Sequence, residues 1–396
     1  MYTVTFYSFK GGVGRTLALA NVGVELAKTG RRVLIVDFDL EAPGIDTFRL
    51  LKPKQSHQGI VEYISKFIET KTAPDSREYI YEALGVGEKD GRLWVMPAGK
   101  GGEQYVKQLN LINWEYLYEN LDGYLMLEDL KAQWQKAYEP DYVLIDSRTG
   151  HTDVGGICTR QLPDAVVILF FPNEQNLAGL KPVVNAIRSE KNKEKGEKIN
   201  LHFVMSNVPD LDDEEQILAN LRRSFKRELG YDSLTSIIHR YDSLALLEQS
   251  IFVAERPNSR LAKDYRKLLE RISEKNLEDR ESVLRNLSKE LQISITDFRV
   301  KDIDEWEKIQ NLYPEDGEIL YRLAKKMKEF GSLKKSELLF ERAIDLNYRT
   351  PESLLEWAQV KQQKKECDKA FSAVFEIFQS ESVTVTVLQR CINLVD

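Results

Sequence analysis

The stretch FYSFKGGVGRT, residues 6–16, decides the fold of this chain. It overlaps a run of β-branched and aromatic residues, TVTFYSF (3–9), and leads into TLALANVGVELAKTG (16–30), whose apolar residues are spaced as in a helix. Its glycines let successive backbone N–H groups point at an anion, and the start of a helix favours negative charge. The order of strand, glycine-rich turn and helix therefore predicts a phosphate-binding loop.

Two side chains at the end of this loop have the chemistry that a bound nucleotide needs. Arg15 stands where a cation would reach the β- and γ-phosphates, and Thr16 stands where a hydroxyl would bind Mg²⁺. The loop departs from the common pattern G-x-x-x-x-G-K-[ST], because Phe9 replaces the first glycine and Arg15 replaces the lysine. An arginine keeps the charge but has a wide planar head, so we expect nucleotide binding to survive and hydrolysis to be slow.

Further strand-like runs alternate with helical stretches along the first part of the chain. Such alternation predicts an α/β fold, with a twisted, mostly parallel sheet flanked by helices. Gly30 is expected to be the C-cap of the first helix. The runs are RVLIVDFD (32–39), LWVMPA (93–98), YVLIDS (142–147), AVVILFF (165–171) and LHFVMSN (201–207).

The pattern changes near residue 270, after which helical spacing replaces the strand-like runs. Shifting the chain against itself by 34 residues aligns similar residues, such as Leu320 with Leu354 and Leu388. A period of this length is typical of tetratricopeptide repeats, which are pairs of helices. We predict an all-α region with two full repeats (317–381), a helix before them (302–312) and a helix after them (384–395).

The match to these repeats is partial. Tyr348 and Ser382 stand where the repeat usually has proline, and Lys365 replaces the glycine of the turn. An unrelated helical bundle is therefore the alternative. We predict three segments, which are an α/β domain with the phosphate-binding P-loop (1–272), a helical connector (273–300) and a domain of helical repeats (301–396).

The composition narrows the cellular setting and the partners. The 396 residues are enough for two domains, and a formal net charge of −7 gives no overall attraction to nucleic acid or to anionic membranes. Three scattered cysteines, and no apolar run long enough to span a bilayer, indicate a cytoplasmic protein without a membrane partner. Basic runs at 191–198 and 222–230 leave nonspecific DNA binding open, although solvated surfaces are the favoured interpretation.

The loop resembles the deviant Walker A sequence K-G-G-x-G-K-[ST] of the ParA/MinD family of dimeric ATPases, with Lys10 as that family's extra signature lysine. The resemblance covers roughly residues 1–272 and implies ATP and Mg²⁺ as cofactors and an ATP-dependent homodimer. Four later segments carry it. They are VLIVDFDLEAPG (33–44, like switch I), YVLIDSRTG (142–150, like Walker B and switch II), MSNVP (205–209, like the base-binding turn) and the stretch 239–272 (like the C-terminal segment).

Residue roles follow from matching positions and from the chemistry of each side chain. Asp146 would hold Mg²⁺ through water, and the resemblance implies that Asp39 orients the attacking water while Asp37 supports the metal shell. It also implies that Lys10 crosses to the phosphates of a second subunit and that the N–H of Gly150 senses the γ-phosphate. The catalytic set is Lys10, Arg15 and Asp39; the nucleotide-binding set is Gly11, Gly12, Val13, Gly14, Arg15, Thr16, Leu17, Gly150 and Asn207; the metal set is Thr16, Asp37, Asp39 and Asp146.

Each of these roles has a plainer alternative. Asp37 and Asp39 would also suit turns or helix caps, Asn207 would suit a turn, and Lys10 would suit a solvated loop.

The function expected from these residues is a slow ATPase switch. It would form a nucleotide-sandwich homodimer and recruit a protein partner through residues 301–396. One alternative is a regulatory scaffold that binds nucleotide without hydrolysing it. Another is a tyrosine kinase of the bacterial type, against which the terminal LQRCINLVD contains no tyrosine.

Overall fold

The computed structural model describes residues 1–87, 90–190, 198–209, 216–242, 249–289, 300–380 and 383–395. The chain divides into two compact units, Met1–Lys275 and Asn276–Asp396. The first unit is built on a β-sheet, whereas the described part of the second consists of helices and their connections.

The described residues of the first unit form one eight-stranded sheet, ordered β3-β4-β2-β5-β1-β6-β7-β8. All neighbouring strands are parallel except β3 and β4, which are antiparallel. The predicted class, a mostly parallel α/β sheet, is therefore confirmed. The strands are β1 Tyr2–Tyr7, β2 Arg32–Asp37, β3 Tyr81–Glu82, β4 Arg92–Met96, β5 Tyr142–Asp146, β6 Ala165–Phe170, β7 Asn200–Val208 and β8 Ser236–His239.

Helices cover both faces of this sheet. Along β2, Val33 and Ile35 belong to one apolar core, whereas Leu34 and Val36 belong to another on the opposite face. A strand buried on both faces reads as a continuous apolar run, which is why the sequence indicated it. The helices are α1 Arg15–Lys28, α2 Ile60–Thr70, α3 Gly102–Leu111, α4 Trp114–Asn120, α5 Gly123–Tyr138, α6 Asp153–Gly156, α7 Glu174–Ser189, α8 Ile217–Leu229, α9 Phe252–Glu255 and α10 Arg260–Ser273.

Helix α1 ends one residue earlier than predicted. Thr29 is its C-cap, and Gly30 follows in a left-handed conformation with φ of 93°. The N–H of Gly30 donates to the carbonyl of Ala27, and the N–H of Arg31 donates to that of Leu26, each at 3.1 Å. The glycine therefore reverses the chain directly after the cap, so that β2 can begin at Arg32.

The second unit consists of helices in its described residues. Two pairs repeat at a fixed offset, because α13 and α15 begin 34 residues apart, as do α14 and α16. Helix α11, inside the segment predicted as a connector, packs against this unit through Val283, Leu284 and Leu287. The helices are α11 Arg280–Ser288, α12 Val300–Leu312, α13 Gly317–Glu329, α14 Leu333–Asp345, α15 Pro351–Gln363, α16 Cys367–Phe378 and α17 Val385–Val395.

None of the helices in the described ranges combines the length and the apolar character needed to cross a membrane.

Candidate functional site

A cleft of about 640 Å³ opens beside the loop that joins β1 to α1. Its walls include the whole segment 11–17, so the structure brings together seven of the residues predicted to bind nucleotide. Other walls are Asp39 and the turn after it, with Gln249 and Ser250 from the stretch 239–272, where the sequence had indicated no site residue. Lys10, Asp37, Asp146, Gly150 and Asn207 do not line this cleft.

The loop reverses twice through glycine. Gly12 and Gly14 both have φ of 77°, a left-handed conformation that other L-residues adopt only with strain. Gly14 is the N-cap residue of α1, so the free N–H groups of the first helical turn face the end of the loop. The hydroxyl of Ser206, on β7, donates to the carbonyl of Val13 at 2.6 Å and holds the loop from below. The loop geometry is thus suited to a bound anion.

Arg15 lies within the site, and its guanidinium contacts two carboxylates. Its Nε donates to Oδ1 of Asp146 at 2.5 Å, and its Nη2 donates to Oδ2 of Asp39 at 2.5 Å. The side chain is only 5% exposed, and its Nη1 is buried without a hydrogen-bond partner among the described residues. Burial lowers the pKa of Arg15, but the charges of Asp146 and Asp39 outweigh it and raise that pKa overall. The arginine is therefore a fixed cation.

Asp146 is the centre of this arrangement because both of its oxygens are engaged. Oδ1 accepts from Arg15, and Oδ2 accepts from the hydroxyl of Thr16 at 2.6 Å. Asp146 is the last residue of β5 and is fully buried. The first two residues of α1 are thereby tied to the end of a central strand.

Asp37 organises the turn that follows β2. Its Oδ1 accepts the N–H of Asp39 at 3.0 Å, and its Oδ2 accepts those of Gly44 at 3.2 Å and Ile45 at 3.3 Å. Burial, and then the charge of Asp146, hold the pKa of Asp37 well above its usual range, against the effect of these hydrogen bonds. The Asp37 carboxyl thus accepts the hydrogen bonds that fix the backbone of the turn containing Asp39.

The predicted metal ligands do not form a metal site in this arrangement. Mg²⁺ requires oxygen atoms with free lone pairs in a near-octahedral set. Each oxygen of Asp146 already accepts a hydrogen bond, from Arg15 or Thr16, and Oδ2 of Asp39 pairs with Arg15, so a guanidinium cation stands among the oxygens that would bind Mg²⁺. No group of three or more His, Cys, Asp or Glu side chains in the described residues is placed to hold a metal ion. The assignment of Thr16, Asp37, Asp39 and Asp146 to a metal stays a prediction that requires Arg15 to move.

The loop after β5 contacts two other parts of the site. Arg148 pairs with Glu41, with Nη2 and Oε2 at 2.5 Å, and so connects this loop to the turn after β2. The hydroxyl of Tyr7 donates to the carbonyl of Gly150 at 3.1 Å. Gly150 has φ of 79° and lines an adjoining cleft of about 600 Å³. The sequence had indicated Gly150, but it gave no sign of the contact with Glu41.

Phe9, which replaces the first glycine of the common loop pattern, packs between three neighbours. Its ring centroid lies 5.2 Å from that of His151, and the Nζ of the exposed Lys10 lies 5.6 Å from the same ring. On the side of α7, a Cβ added to Gly179 would be 2.1 Å from Cε1 of Phe9. The phenylalanine therefore joins the loop to α7 and to the segment after Gly150.

Two further predictions concern surface residues. Asn207 is exposed, with φ of 57°, at the end of β7, and its role in base binding stays a prediction. On α8, Arg227 pairs with Glu228, which also binds Lys181 at 2.6 Å, so part of the basic run 222–230 is neutralised locally. Residues 191–197 of the other basic run lie outside the described residues. Nonspecific DNA binding remains open and not favoured.

The comparison with known proteins identifies the family of the first part of the chain. Residues 4–278 match the CobQ/CobB/MinD/ParA nucleotide binding domain, which is more than half of the chain. The chain therefore belongs to this family, and its MinD and ParA members are ATPases. The match includes the glycine-rich loop and ends before the predicted C-terminal repeats.

One relative is the septum site-determining protein MinD of Helicobacter pylori, which is 25% identical over 206 residues, covering 52% of this chain and 66% of that protein. The chain thus spans less than two thirds of that relative's length. Among solved structures, the cell division ATPase MinD of Pyrococcus furiosus superposes with a TM-score of 0.50, at 20% identity over 69% of this chain and 98% of that one. The ATP complex of Cyanothece McdA gives a TM-score of 0.52, at 17% identity over 69% and 96%. Both likenesses establish the shared fold.

Proposed function

We propose that this chain is an ATP-binding switch that hydrolyses ATP slowly. The observation that carries this proposal is that Arg15, directly after the last glycine of the loop, contacts both Asp39 and Asp146. Membership of a family of nucleotide-binding domains supports ATP as the ligand. The loop N–H groups and the start of α1 would hold its phosphates.

Slow hydrolysis follows from how the two carboxylates are used. Asp39 is expected to orient the attacking water, but its Oδ2 is occupied by the guanidinium of Arg15. An oxygen held in a short, charge-assisted hydrogen bond is less available to accept a hydrogen bond from the attacking water. We propose that Mg²⁺ is the cofactor of the hydrolysing state, with Thr16, Asp37, Asp39 and Asp146 as the residues that would hold it once Arg15 has moved.

The same switch would form a homodimer around ATP. Lys10 is exposed at the edge of the loop, and the contact described for its Nζ is the ring of Phe9. Such a weak contact leaves the ammonium group available to the phosphates of a second copy. Gly150 would sense the γ-phosphate, and its bond to Tyr7 would carry that change to β1.

The C-terminal region would recruit a protein partner. We propose that residues 301–396 form tetratricopeptide-like repeats, which is supported by helix pairs at a 34-residue offset. Small residues at buried positions of α13 and α14, namely Ala324, Ser336 and Ala343, are consistent with closely packed helix pairs. Copurification of the ATP-loaded and ADP-loaded chain would identify a partner that prefers one state.

A non-hydrolysing regulatory scaffold is the second candidate, and the ion pairs of Arg15 favour it, because they occupy the residue expected to position water. Phosphate release by the purified chain with ATP and Mg²⁺ separates the two. Slow release that Asp39→Ala abolishes supports the switch, whereas no release with retained ATP binding supports the scaffold.

Light scattering tests the dimer. Asp39→Ala with ATP and Mg²⁺ should double its mass, and adding Lys10→Ala should return it to a monomer. Lys52→Ala, a change at another exposed lysine, is the matched control. A monomer at every nucleotide concentration would contradict the sandwich dimer.

A further inference from the structure

We infer that Arg15 takes the place of a metal ion in the resting site, so that this chain holds a nucleoside diphosphate or triphosphate without Mg²⁺. The inference rests on the proposed nucleotide binding and concerns how that same site is neutralised. Two of the predicted metal ligands, Asp39 and Asp146, are bound to Arg15 instead.

The first step is the charge of the site. In P-loop proteins a metal ion joins the hydroxyl after the loop and the strand-end aspartate to the phosphates. Here the guanidinium binds Asp146 and Asp39, each at 2.5 Å, and Thr16 donates its hydroxyl to Asp146. The carboxylates that would repel a bound phosphate are thus already paired with a cation. That removes one reason for needing a metal in the binding step.

The second step is the remaining donor of the arginine. Nε and Nη2 are used, whereas Nη1 is buried and without a partner in the part of the chain that the structure describes. Arg15 follows the loop directly and lines the cleft with Gly11, Gly12 and Gly14. Because Nη1 is closed to solvent, a phosphate on the loop would meet it only as the side chain turns toward the cleft; it would then supply the acceptor that Nη1 lacks, in a charge-assisted bond that is stronger than a neutral one.

The third step is the difficulty of inserting a metal. Mg²⁺ gives up its water reluctantly and needs near-ideal geometry. A metal ion bound directly to Asp146 or Asp39 would lie against the guanidinium that pairs with both, and would have to displace a side chain that is only 5% exposed. Lysine, the common residue at this position, has a compact head that cannot bridge two carboxylates in the same way. Metal-free binding should therefore depend on the arginine.

Isothermal titration calorimetry of the full chain with ADP, in Mg²⁺ and in EDTA, tests the inference. For the wild type, removing Mg²⁺ should change the dissociation constant by less than about threefold. For Arg15→Lys the same change should weaken binding by about tenfold or more. Arg227→Lys, an exposed arginine on α8, should behave as the wild type.

The outcomes separate the inference from the function on which it rests. Wild type that binds ADP only with Mg²⁺ overturns the inference and leaves the proposed function standing. Wild type that binds ADP in neither buffer overturns both. Equal metal-free binding by Arg15→Lys shows that the arginine is not responsible. The ratio of the wild-type dissociation constants in EDTA and in Mg²⁺ shows whether the metal is needed for binding, even if Arg15→Lys does not fold. Thermal unfolding shows whether that variant folds.

Discussion

Asp37 and Asp146 are direct partners in the parallel register of β2 and β5, yet their carboxyl groups serve different parts of the site. Asp37 accepts backbone N–H groups from the turn that contains Asp39, whereas Asp146 accepts from Arg15 and Thr16. One carboxyl therefore shapes a loop, and the other fixes a helix and a cation. Two acidic residues side by side are tolerated because one of them is paired with Arg15 and the other is hydrogen-bonded by three N–H groups.

The conformation of Gly12 can be tested against that of its neighbour. An added Cβ meets nothing within 4 Å at either Gly11 or Gly12, but only Gly12 has a positive φ, of 77°. Gly12→Ala should lower the free energy of unfolding by roughly 1–2 kcal/mol, the usual cost of left-handed backbone for an L-residue. Gly11→Ala should be close to neutral. Chemical denaturation measures both, and equal effects would mean that backbone strain is not the cause.

The contact of Phe9 with Gly179 predicts a specific coupling. Gly179→Ala would place a methyl group 2.1 Å from the ring and should destabilise the first unit by about 1–3 kcal/mol through overpacking. In a Phe9→Gly background the same alanine should cost much less. A double-mutant cycle by thermal unfolding gives the interaction energy. Additive effects of the two changes would show that the ring does not limit position 179.

The second unit should lose stability in acid through Glu356. Burial would raise the pKa of this residue, but hydrogen bonds from Lys328 at 2.7 Å and Arg390 at 2.8 Å outweigh it and lower that pKa. A depressed pKa in the folded state gives stability that is present above the unfolded value of about 4.3 and is lost as the pH falls through the folded value. Glu356→Gln should flatten this part of the profile of stability against pH.

Glu352→Gln, at an exposed position one turn earlier in the same helix, is the control for that experiment. Its profile should follow the wild type. If Glu356→Gln and Glu352→Gln give the same profile below about pH 4.3, then Glu356 does not carry the acid sensitivity.

Arg15→Lys should speed phosphate release, because a lysine would free Asp39 from its ion pair. Arg15→Ala should not, since it removes the positive charge from the phosphate site altogether. Acid-quenched single-turnover formation of phosphate from preloaded ATP measures the chemical step, because it does not wait for the product to dissociate. Faster release in Arg15→Ala would contradict the view that a cation at this position is needed for the reaction.

The sequence predicted the central strands well because both of their faces are buried. The predicted run 32–39 corresponds to β2, Arg32–Asp37, and the run 165–171 corresponds to β6, Ala165–Phe170. The strands that were missed lie at the edges, where β3 has two residues and β8 has four. Such short strands have too few positions for an apolar period to be visible, and their pairing depends on the strand beside them.

The site was predicted in outline but not in its contacts. The loop and the aspartates at the strand ends could be recognised because their order along the chain fixes which end of the sheet they share. The ion pairs of Arg15 could not, because they depend on the register that sets Asp37 beside Asp146 and on the direction of one long side chain. The same is true of Arg148 and Glu41, which are far apart in sequence.

The two bonds that Asp146 accepts from neighbouring residues of α1 also bear on how fast a ligand can bind. With Arg15 and Thr16 tied to the end of β5, and Val13 held by Ser206, the loop is anchored on both sides before any ligand arrives. Little conformational entropy remains to be lost on binding, so association should be close to a simple encounter and dissociation should set the affinity. The lifetime of the ligand-bound state would then be set by the residence time of the nucleotide.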